Sequence, residues 1–219
     1  MSTLRARILA LVDTQDERGG FSEEAFAQLE QLVGAIRRES PVPDPALHPQ
    51  CLDGRWESVF AHFGARHSAG KSRVHDSTLK VQSFNRFPPV PIRVLRICQE
   101  IGSRGAAYNN VIDFVAADGR AEGRIVVRGL YRVGPAEPQR FDVDFQSIEI
   151  APRGATDEPA LRAALGFTRG EPLAAGLKPP RVHSDVVYLD EEIRINIGSL
   201  GGLYLLRRCA EPPVSIDLG

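Results

Sequence analysis

The stretch over residues 188–208, YLDEEIRINIGSLGGLYLLRR, constrains the fold of this chain more than any other. Its segment IRINI, residues 193–197, alternates apolar and polar side chains with the period of two that is typical of a β-strand with one apolar face. The glycines that follow supply the backbone freedom that a tight reversal needs. Residues 203–206 are almost wholly apolar, as in a strand that is covered on both faces. The stretch therefore predicts a closing β-hairpin.

Strand-like segments occupy most of the chain before this hairpin. We predict strands over residues 55–63, 92–101, 108–115, 124–133 and 141–150, and a short helix over 157–167. Trp56 and Phe60 are expected on one face of the first strand. The apolar parity of the last of these strands switches after Phe145, which predicts a β-bulge near Gln146 and Ser147. About seven strands, few helices and regular turn signals indicate a mainly β fold, a closed antiparallel β-barrel.

Residues 1–40 precede the barrel and predict a helical hairpin. Each helix carries one apolar stripe, formed by Leu4, Ile8, Leu11 and Val12 in the first and by Phe26, Leu29, Val33 and Ile36 in the second. Isolated helices of this length are marginal in water, so we expect the hairpin to dock on the barrel; a partner-binding hairpin is the alternative. We then expect a proline-rich linker over 41–50, the barrel over 51–210 and a tail over 211–219.

The composition excludes several classes of function. A net charge of −1 argues against nucleic-acid binding. No long apolar run predicts a membrane-spanning helix, and the first residues carry no hydrophobic secretory segment. Three widely separated cysteines are typical of a reducing compartment. We therefore expect a cytoplasmic protein, with peripheral membrane contact left open.

The motifs that would carry catalysis or metal binding are incomplete. Residues 64–72, GARHSAGKS, have the wrong glycine spacing for a phosphate-binding loop. The histidines at 62, 67 and 75 do not match the spacing of a metal site. The carboxylates at 190–192 are adjacent, and neighbours on a strand point to opposite faces, so they do not form an acid/base pair. We therefore expect no catalytic residues, no metal and no cofactor.

Three segments resemble the plastid-lipid-associated protein family, also called the PAP/fibrillin or plastoglobulin family, whose domain is lipocalin-like. Residues 52–56, LDGRW, are similar to the motif that begins the family's first strand, and YNNVIDF, residues 108–114, to its central strand. Residues 188–208 are similar to its closing signature, except that Ile197 replaces an arginine. The helix, Arg18-Gly19 turn, second helix and proline-rich linker also resemble the family. The resemblance identifies as structural motif residues Gly54, Trp56, Asp190, Gly201 and Arg208.

The resemblance implies a barrel that binds a hydrophobic small molecule, such as a lipid, carotenoid or isoprenoid quinone. The candidate ligand-binding residues are Trp56, Phe60, Phe84, Phe114, Tyr131, Phe145, Arg194 and Leu205. A small barrel can instead be filled by its own side chains. The sequence is also compatible with a small-molecule enzyme that has Asp190 and Arg194 at the barrel mouth, or with a structural protein on a membrane or lipid-droplet surface. The first residues are not Ser-rich or acid-poor as a plastid transit peptide is, which favours a bacterial relative.

The resemblance also predicts one contact across the chain. In lipocalin-like barrels an arginine near the end of the last strand covers the tryptophan of an early G-x-W motif. Here Trp56 is the tryptophan, and Arg208 matches the family's terminal arginine. Arg207 competes for this role, because neighbours on a strand point to opposite faces and only one of the two reaches inward. We expect Trp56 to be buried at the closed end of the barrel, with Arg208 joining the first strand to the last.

Overall fold

The computed structural model describes residues 3–15, 21–62, 76–79, 85–134, 136–178, 181–199, 201–216 and 218. The helices are α1 (Thr3–Val12), α2 (Glu23–Ile36) and α3 (Glu158–Ala164). The first five strands are β1 (Gly54–His62), β2 (Asp76–Thr78), β3 (Pro91–Gly102), β4 (Ala107–Ala116) and β5 (Glu122–Val133). The remaining strands are β6 (Arg140–Pro152), β7 (Ala174–Gly176), β8 (Val182–Leu189), β9 (Ile193–Gly198) and β10 (Leu203–Arg208).

Eight of these strands close into a barrel in which every neighbouring pair is antiparallel. The order around the ring is β1, β10, β9, β8, β6, β5, β4 and β3, and β3 pairs again with β1. The short strands β2 and β7 pair with β3 and β6 outside this ring. The expectation of a mainly β, closed antiparallel barrel with helices at the N-terminus is confirmed. Closure leaves the ring without free strand edges.

The bulge predicted in the fifth strand segment is present. Ser147 pairs with Arg128, but Phe145 pairs with Gly129, so Gln146 is the extra residue. The bulge keeps both apolar runs of β6 on the inner face despite the switch in parity. A Cβ added to Gly129 would lie 3.1 Å from the Phe145 ring, so the small residue opposite the bulge makes room for that ring.

A second bulge, in β1, changes the direction of a predicted inward residue. Ser58 pairs with Leu206, whereas Phe60 pairs with Leu205, so the register shifts between the two pairs. Trp56 therefore points into the barrel, but Phe60 points outward. The expectation that Trp56 and Phe60 share a face is wrong, because the additional residue, Val59, turns Phe60 to the other face of the strand. The sequence of β1 carries no signal for this bulge.

The helical hairpin covers the outer face of β1, β8, β9 and β10. One buried cluster joins the two helices to these strands, and its members are Ile8, Val12, Leu29, Leu32, Val33, Ile36, Phe60, Val187, Tyr188, Ile193, Ile195, Leu203 and Leu205. Ser22 caps α2 by accepting a hydrogen bond from the amide of Ala25. Both apolar stripes of the hairpin are therefore used in packing on the barrel, which gives two short helices the tertiary support that they need.

This packing decides which face of β9 is internal. The isoleucines at 193 and 195 lie under the helices, so the alternation of the strand directs Arg194 and Asn196 into the barrel. Both side chains are buried. The apolar face of the closing hairpin is therefore an outer face, and its polar face is part of the interior.

Two further segments differ from the sequence-based expectation. Strand β8 begins at Val182, within a region where no strand was predicted before Tyr188. Residues 190–192 form the turn between β8 and β9 and are not part of a strand.

The tail crosses the outer face of β3 to β5, where Ser215 donates to Glu100 and accepts from Asn109, at 2.5 and 2.9 Å.

Candidate functional site

Arg208 organises the end of the barrel at which β1 begins. Its guanidinium carbon lies 4.0 Å from the centre of the Trp56 indole. Its Nη1 donates to the carbonyl of Asp53 at 2.5 Å, and its Nη2 donates to that of Cys51 at 2.8 Å. Its Nε donates to the carbonyl of Glu191 at 2.8 Å. Arg208 thus occupies the predicted position, and Arg207 is exposed.

Trp56 and Gly54 are both adapted to this contact. Trp56 is completely buried, and its Nε1 donates to the carbonyl of Leu52 at 2.8 Å, so the polar edge of the indole is satisfied. Gly54 has φ +122°, which side chains other than glycine rarely adopt. A Cβ at this position would lie 3.0 Å from Nη1 of Arg208. Gly54 therefore permits both the close contact with Arg208 and the positive φ of the backbone.

A row of cross-strand partners runs from this end around the interior. Trp56 pairs with Gln99 on β3, which pairs with Asn110 on β4, which pairs with Val127 on β5. Directly opposite residues point to the same face, and Val127 belongs to the interior apolar cluster. Gln99 and Asn110 are therefore internal polar side chains, and both are only half-buried. This partial exposure of inward residues is consistent with an interior that its own side chains do not fill.

Arg194 lies in the interior beside this row. Its side chain is 0% exposed, and its guanidinium carbon is 4.9 Å from the centre of the Trp56 indole. Its Nη2 donates to Oε1 of Gln99. Its Nε and Nη1 have no hydrogen-bond partner among the described residues. Buried donors are usually paired, so two unpaired nitrogens on one guanidinium are an unusual feature of this interior.

The electrostatic setting of Arg194 is that of a cation in an apolar environment. Burial lowers the pKa of Arg194 to about 10, while Tyr108 opposes this change and the charge of Arg208 adds to it. Burial also raises the pKa of Tyr108 well above its ordinary value. Arg194 is therefore charged at neutral pH, and Tyr108 is a neutral phenol.

Asn196 is a second internal polar residue with unpaired atoms. It is 1% exposed, and within the described ranges neither its Nδ2 nor its Oδ1 has a hydrogen-bond partner. Its cross-strand partners are Tyr204 on β10 and Val186 on β8, both of which contact the interior cluster. The interior side of β9 is therefore polar, and Gln99 on β3 and Asn110 on β4 add two half-buried polar side chains.

The wall across the barrel from β9, on β4 to β6, carries apolar and aromatic side chains. Phe114, Tyr131 and Phe145 belong to the interior cluster, as the sequence predicts for their positions. The rings of Tyr108 and Phe145 are 6.2 Å apart in an edge-to-face arrangement. Phe60 and Leu205 lie instead in the layer under the helices, so their predicted place in the lining is corrected. Phe84 lies outside the described residues.

Asp190 organises the turn outside the barrel. It accepts hydrogen bonds from the Tyr188 hydroxyl and from the amides of Glu192 and Ile193, and it forms an ion pair with Arg5 of α1 at 2.9 Å. Burial raises the pKa of Asp190, but the hydrogen bonds and the charge of Arg5 outweigh burial and hold this pKa below its ordinary value. Gly201, with φ +76°, permits the next turn, between β9 and β10.

A cleft of about 760 Å³ lies outside the barrel beside the same turn. Its walls are formed by Arg5, Glu39, Pro41, Val42, Cys51, residues 188–192 and Arg208. Most of these side chains are ionic or exposed, and Asp190 and Glu192 are already paired with Arg5. Apolar side chains such as Pro41, Val42 and Leu189 contribute the larger part of its exposed surface, so the cleft combines apolar and ionic walls.

The remaining chemical motifs do not form a site in the described part of the chain. Asp190 and Arg194, the polar pair considered for an enzyme, do not contact each other: Asp190 contacts Arg5 outside the barrel, and Arg194 contacts Gln99 inside it. His62 packs against the ring of Phe26, with ring centres 4.2 Å apart, and residues 63–75 lie outside the described residues. Among the described residues, no group of three metal-ligating side chains occurs, and none of the helices has the length and apolar character of a membrane span.

Sequence reasoning found Arg194 and missed Gln99, Tyr108 and Asn196. Asn196 has the same parity as Arg194 on β9, so the alternation alone places the two on one face. Gln99 is opposite Trp56 only because of the register of β1 on β3, which no local pattern in the sequence encodes. The position of Tyr108 depends likewise on its pairing with Ile101.

A closed ring of eight antiparallel strands, with a last-strand arginine over a first-strand tryptophan, defines a lipocalin-like protein. The PAP_fibrillin family model matches residues 4–207, which is nearly the whole chain. The chain therefore belongs to the PAP/fibrillin family. A search of curated proteins gives no significant match. The family and the barrel are both compatible with a lipid-associated function.

Proposed function

We propose that this protein binds a lipophilic small molecule inside its barrel and does not convert it chemically. The observation that supports the proposal is a buried polar patch, formed by Arg194 and Asn196, in a mainly apolar interior. Arg194 and Asn196 are almost fully buried and leave four polar atoms without partners. Unpaired buried polar atoms cost stability, so a bound molecule that pairs with them would be favoured.

The opposite wall suits the apolar part of such a molecule. Phe114, Ile125 and Val127 belong to the interior cluster on the strands that face the polar patch. Removal of an aliphatic chain from water contributes about 0.8 kcal/mol for each methylene group that is buried. A few polar groups on a mainly apolar wall are typical of small-molecule sites. A lipid, a carotenoid or an isoprenoid quinone would satisfy both halves of this interior.

The helical hairpin supports the barrel interior as the binding element. Both of its apolar stripes pack on β1, β8, β9 and β10, so they are not presented to a membrane or lipid-droplet surface. The large apolar side chains exposed among the described residues, Leu47, Leu95 and Val214, are scattered single residues.

Titration followed by the fluorescence of Trp56 tests the proposal. Trp56 is the single tryptophan and borders the polar patch, so its emission reports directly on the interior. A panel of single-chain lipids, carotenoids and quinones should include members that change this emission with saturation at one molecule per chain. Ser58 points inward beside Leu206, and Ser58→Phe should reduce the affinity by filling space.

The matched control places the same ring outside the barrel. Arg207 is exposed and points away from the interior, so Arg207→Phe should bind as the wild type does. Equal effects of the two variants, or no saturable change with any member of the panel, would contradict binding in the interior.

A further inference from the structure

Within the part of the chain that the structure describes, Arg194 is an internal cation without a counter-anion. Its Nη2 donates to the neutral amide of Gln99, and its Nε and Nη1 have no partner. None of the ion pairs in the described part of the chain includes Arg194. The side chain is nevertheless completely buried.

The other buried arginines of the described chain are paired. Arg5 contacts Asp190 at 2.9 Å, and Arg55 lies 3.4 Å from Glu100. A buried charge is expensive unless a charge of opposite sign compensates it. The lack of such a charge beside Arg194 is therefore an exception within the part of the fold that the structure describes, and the missing partner is an anion.

The groups around Arg194 do not replace that anion. The Trp56 ring offers its face at 4.9 Å, which stabilises a cation only in part. Arg208 lies over the same indole and adds a second positive charge. Arg208 is different, because its three nitrogens donate to the carbonyls of Cys51, Asp53 and Glu191. The unpaired guanidinium nitrogens of Arg194 remain the strongest unsatisfied donors of the described interior.

We infer that the ligand is a single-chain amphiphile with one negative charge, a long-chain carboxylic acid, whose carboxylate pairs with Arg194. This inference rests on the proposed function and adds the chemical class of the head group. A carboxylate carries one charge, which balances the one unpaired arginine, and its oxygens match the planar donors of a guanidinium. The hydrocarbon chain would lie against the apolar wall that Phe114, Ile125 and Val127 share.

A pair of ligands with the same chain and different heads tests the head group in the wild-type protein. Oleate and oleyl alcohol are titrated at pH 8, below their aggregation concentrations, and Trp56 emission is followed. The charge-assisted contact should make oleate bind at least tenfold more tightly than the alcohol, about 1.4 kcal/mol or more. This comparison requires no variant, so it decides the question even where a substitution impairs folding.

Two substitutions then test whether Arg194 is the group that makes oleate bind more tightly than the alcohol. Arg194→Gln removes the cation, and Gln99→Glu places a carboxylate at the atom that already contacts Arg194. Both should reduce the oleate preference to about twofold or less while the alcohol still binds, and Gln99→Glu should raise the melting temperature by pairing the charge. Arg207→Gln removes one exposed positive charge and should leave the preference unchanged.

The outcomes separate the inference from the proposal on which it rests. Binding of both ligands with equal affinity would overturn the anionic head group and leave the lipophilic site intact. Binding of neither would overturn the head group and count against the lipophilic site itself. A preference for oleate that persists in both Arg194→Gln and Gln99→Glu would show that another group recognises the carboxylate and would equally overturn the assignment to Arg194.

Discussion

The guanidinium of Arg208 lies against the Trp56 indole, 4.0 Å from its centre, and donates hydrogen bonds to three backbone carbonyls. Two of these carbonyls, of Cys51 and Asp53, precede β1, and the third, of Glu191, belongs to the turn before β9. One side chain of the last strand therefore connects three parts of the chain that are distant in sequence. The connection lies where β1 begins, and Arg208 is half-buried there.

Arg208→Ala should lower the free energy of unfolding by about 2–4 kcal/mol. The substitution removes a cation–π contact of about 0.5–2 kcal/mol and leaves the carbonyls of Cys51, Asp53 and Glu191 without their charged donor. Burial lowers the pKa of Arg208, while nearby carboxylates oppose that shift. Chemical denaturation at neutral pH measures the loss.

Arg207→Ala is the matched control, because Arg207 is the exposed neighbour and pairs with Glu57 and Ile193 in the strand register. It should change stability by less than about 0.5 kcal/mol. A double-mutant cycle with Trp56→Phe should give a coupling energy for Arg208 and none for Arg207. Equal losses for the two arginines would contradict the role of the contact in closing the barrel.

Gly54→Ala should destabilise the protein by about 1–3 kcal/mol. The residue has φ +122°, and its added Cβ would lie 3.0 Å from Nη1 of Arg208, so both backbone strain and a close contact oppose the substitution. Gly119→Ala is the comparison, because Gly119 has φ +73° but open space around the added Cβ. Thermal unfolding of both variants separates the two effects, and a loss no larger at Gly54 than at Gly119 would exclude a contribution from the arginine contact.

Stability should fall in acid in part through Asp190. Its pKa in the folded state is below the ordinary value, mainly through hydrogen bonds and Arg5 that outweigh the opposing effect of burial. Its stabilising contribution is therefore complete above the ordinary aspartate pKa of about 3.9 and is lost as the pH falls through the lower folded pKa. Asp190→Asn should cost about 1–3 kcal/mol at pH 7.

The pH dependence distinguishes this effect from a general loss of packing. The difference between wild type and Asp190→Asn should shrink as the pH is lowered from 5 towards 2. Asp118→Asn is a suitable control, because Asp118 accepts a hydrogen bond from Arg120 in an exposed turn. A difference that stays constant across this pH range would show that ionisation of Asp190 does not contribute.

Removal of residues 1–40 should expose the outer face of the closing hairpin and cause association. The helices cover Phe60, Ile193, Ile195 and Leu203, which would form one continuous apolar surface without them. Light scattering and size-exclusion chromatography measure the change. A truncated protein that stays monomeric and unfolds at the wild-type temperature would contradict this account of the hairpin.

Local patterns predicted most of the barrel, and their failures share one physical cause. The parity switch at Gln146 is a local signal, and it gave the correct inner face of β6. The orientation of Phe60 depends on an additional residue in β1 for which the sequence has no local signal. Leu205 was misplaced because both faces of β10 are apolar, so its pattern does not distinguish the interior from the helix layer.

The polar patch could be predicted only in part. The motif identified Trp56 and Arg208, and Arg194 was among the candidate ligand-binding residues. The partner of Arg194, Gln99, is 95 residues away in sequence, and the two meet only through closure of β1 against β3. Long-range register of this kind is a property of the assembled barrel and not of any single segment.

Organic extraction of the protein purified from its native host, followed by mass spectrometry, shows whether a lipophilic molecule occupies the barrel. We expect a lipophilic compound at a stoichiometry approaching one per chain, enriched over the host extract, and reduced in Ser58→Phe prepared in the same way. An extract with no such compound, or with the same lipids in the same amounts from Ser58→Phe, would contradict binding in the barrel interior.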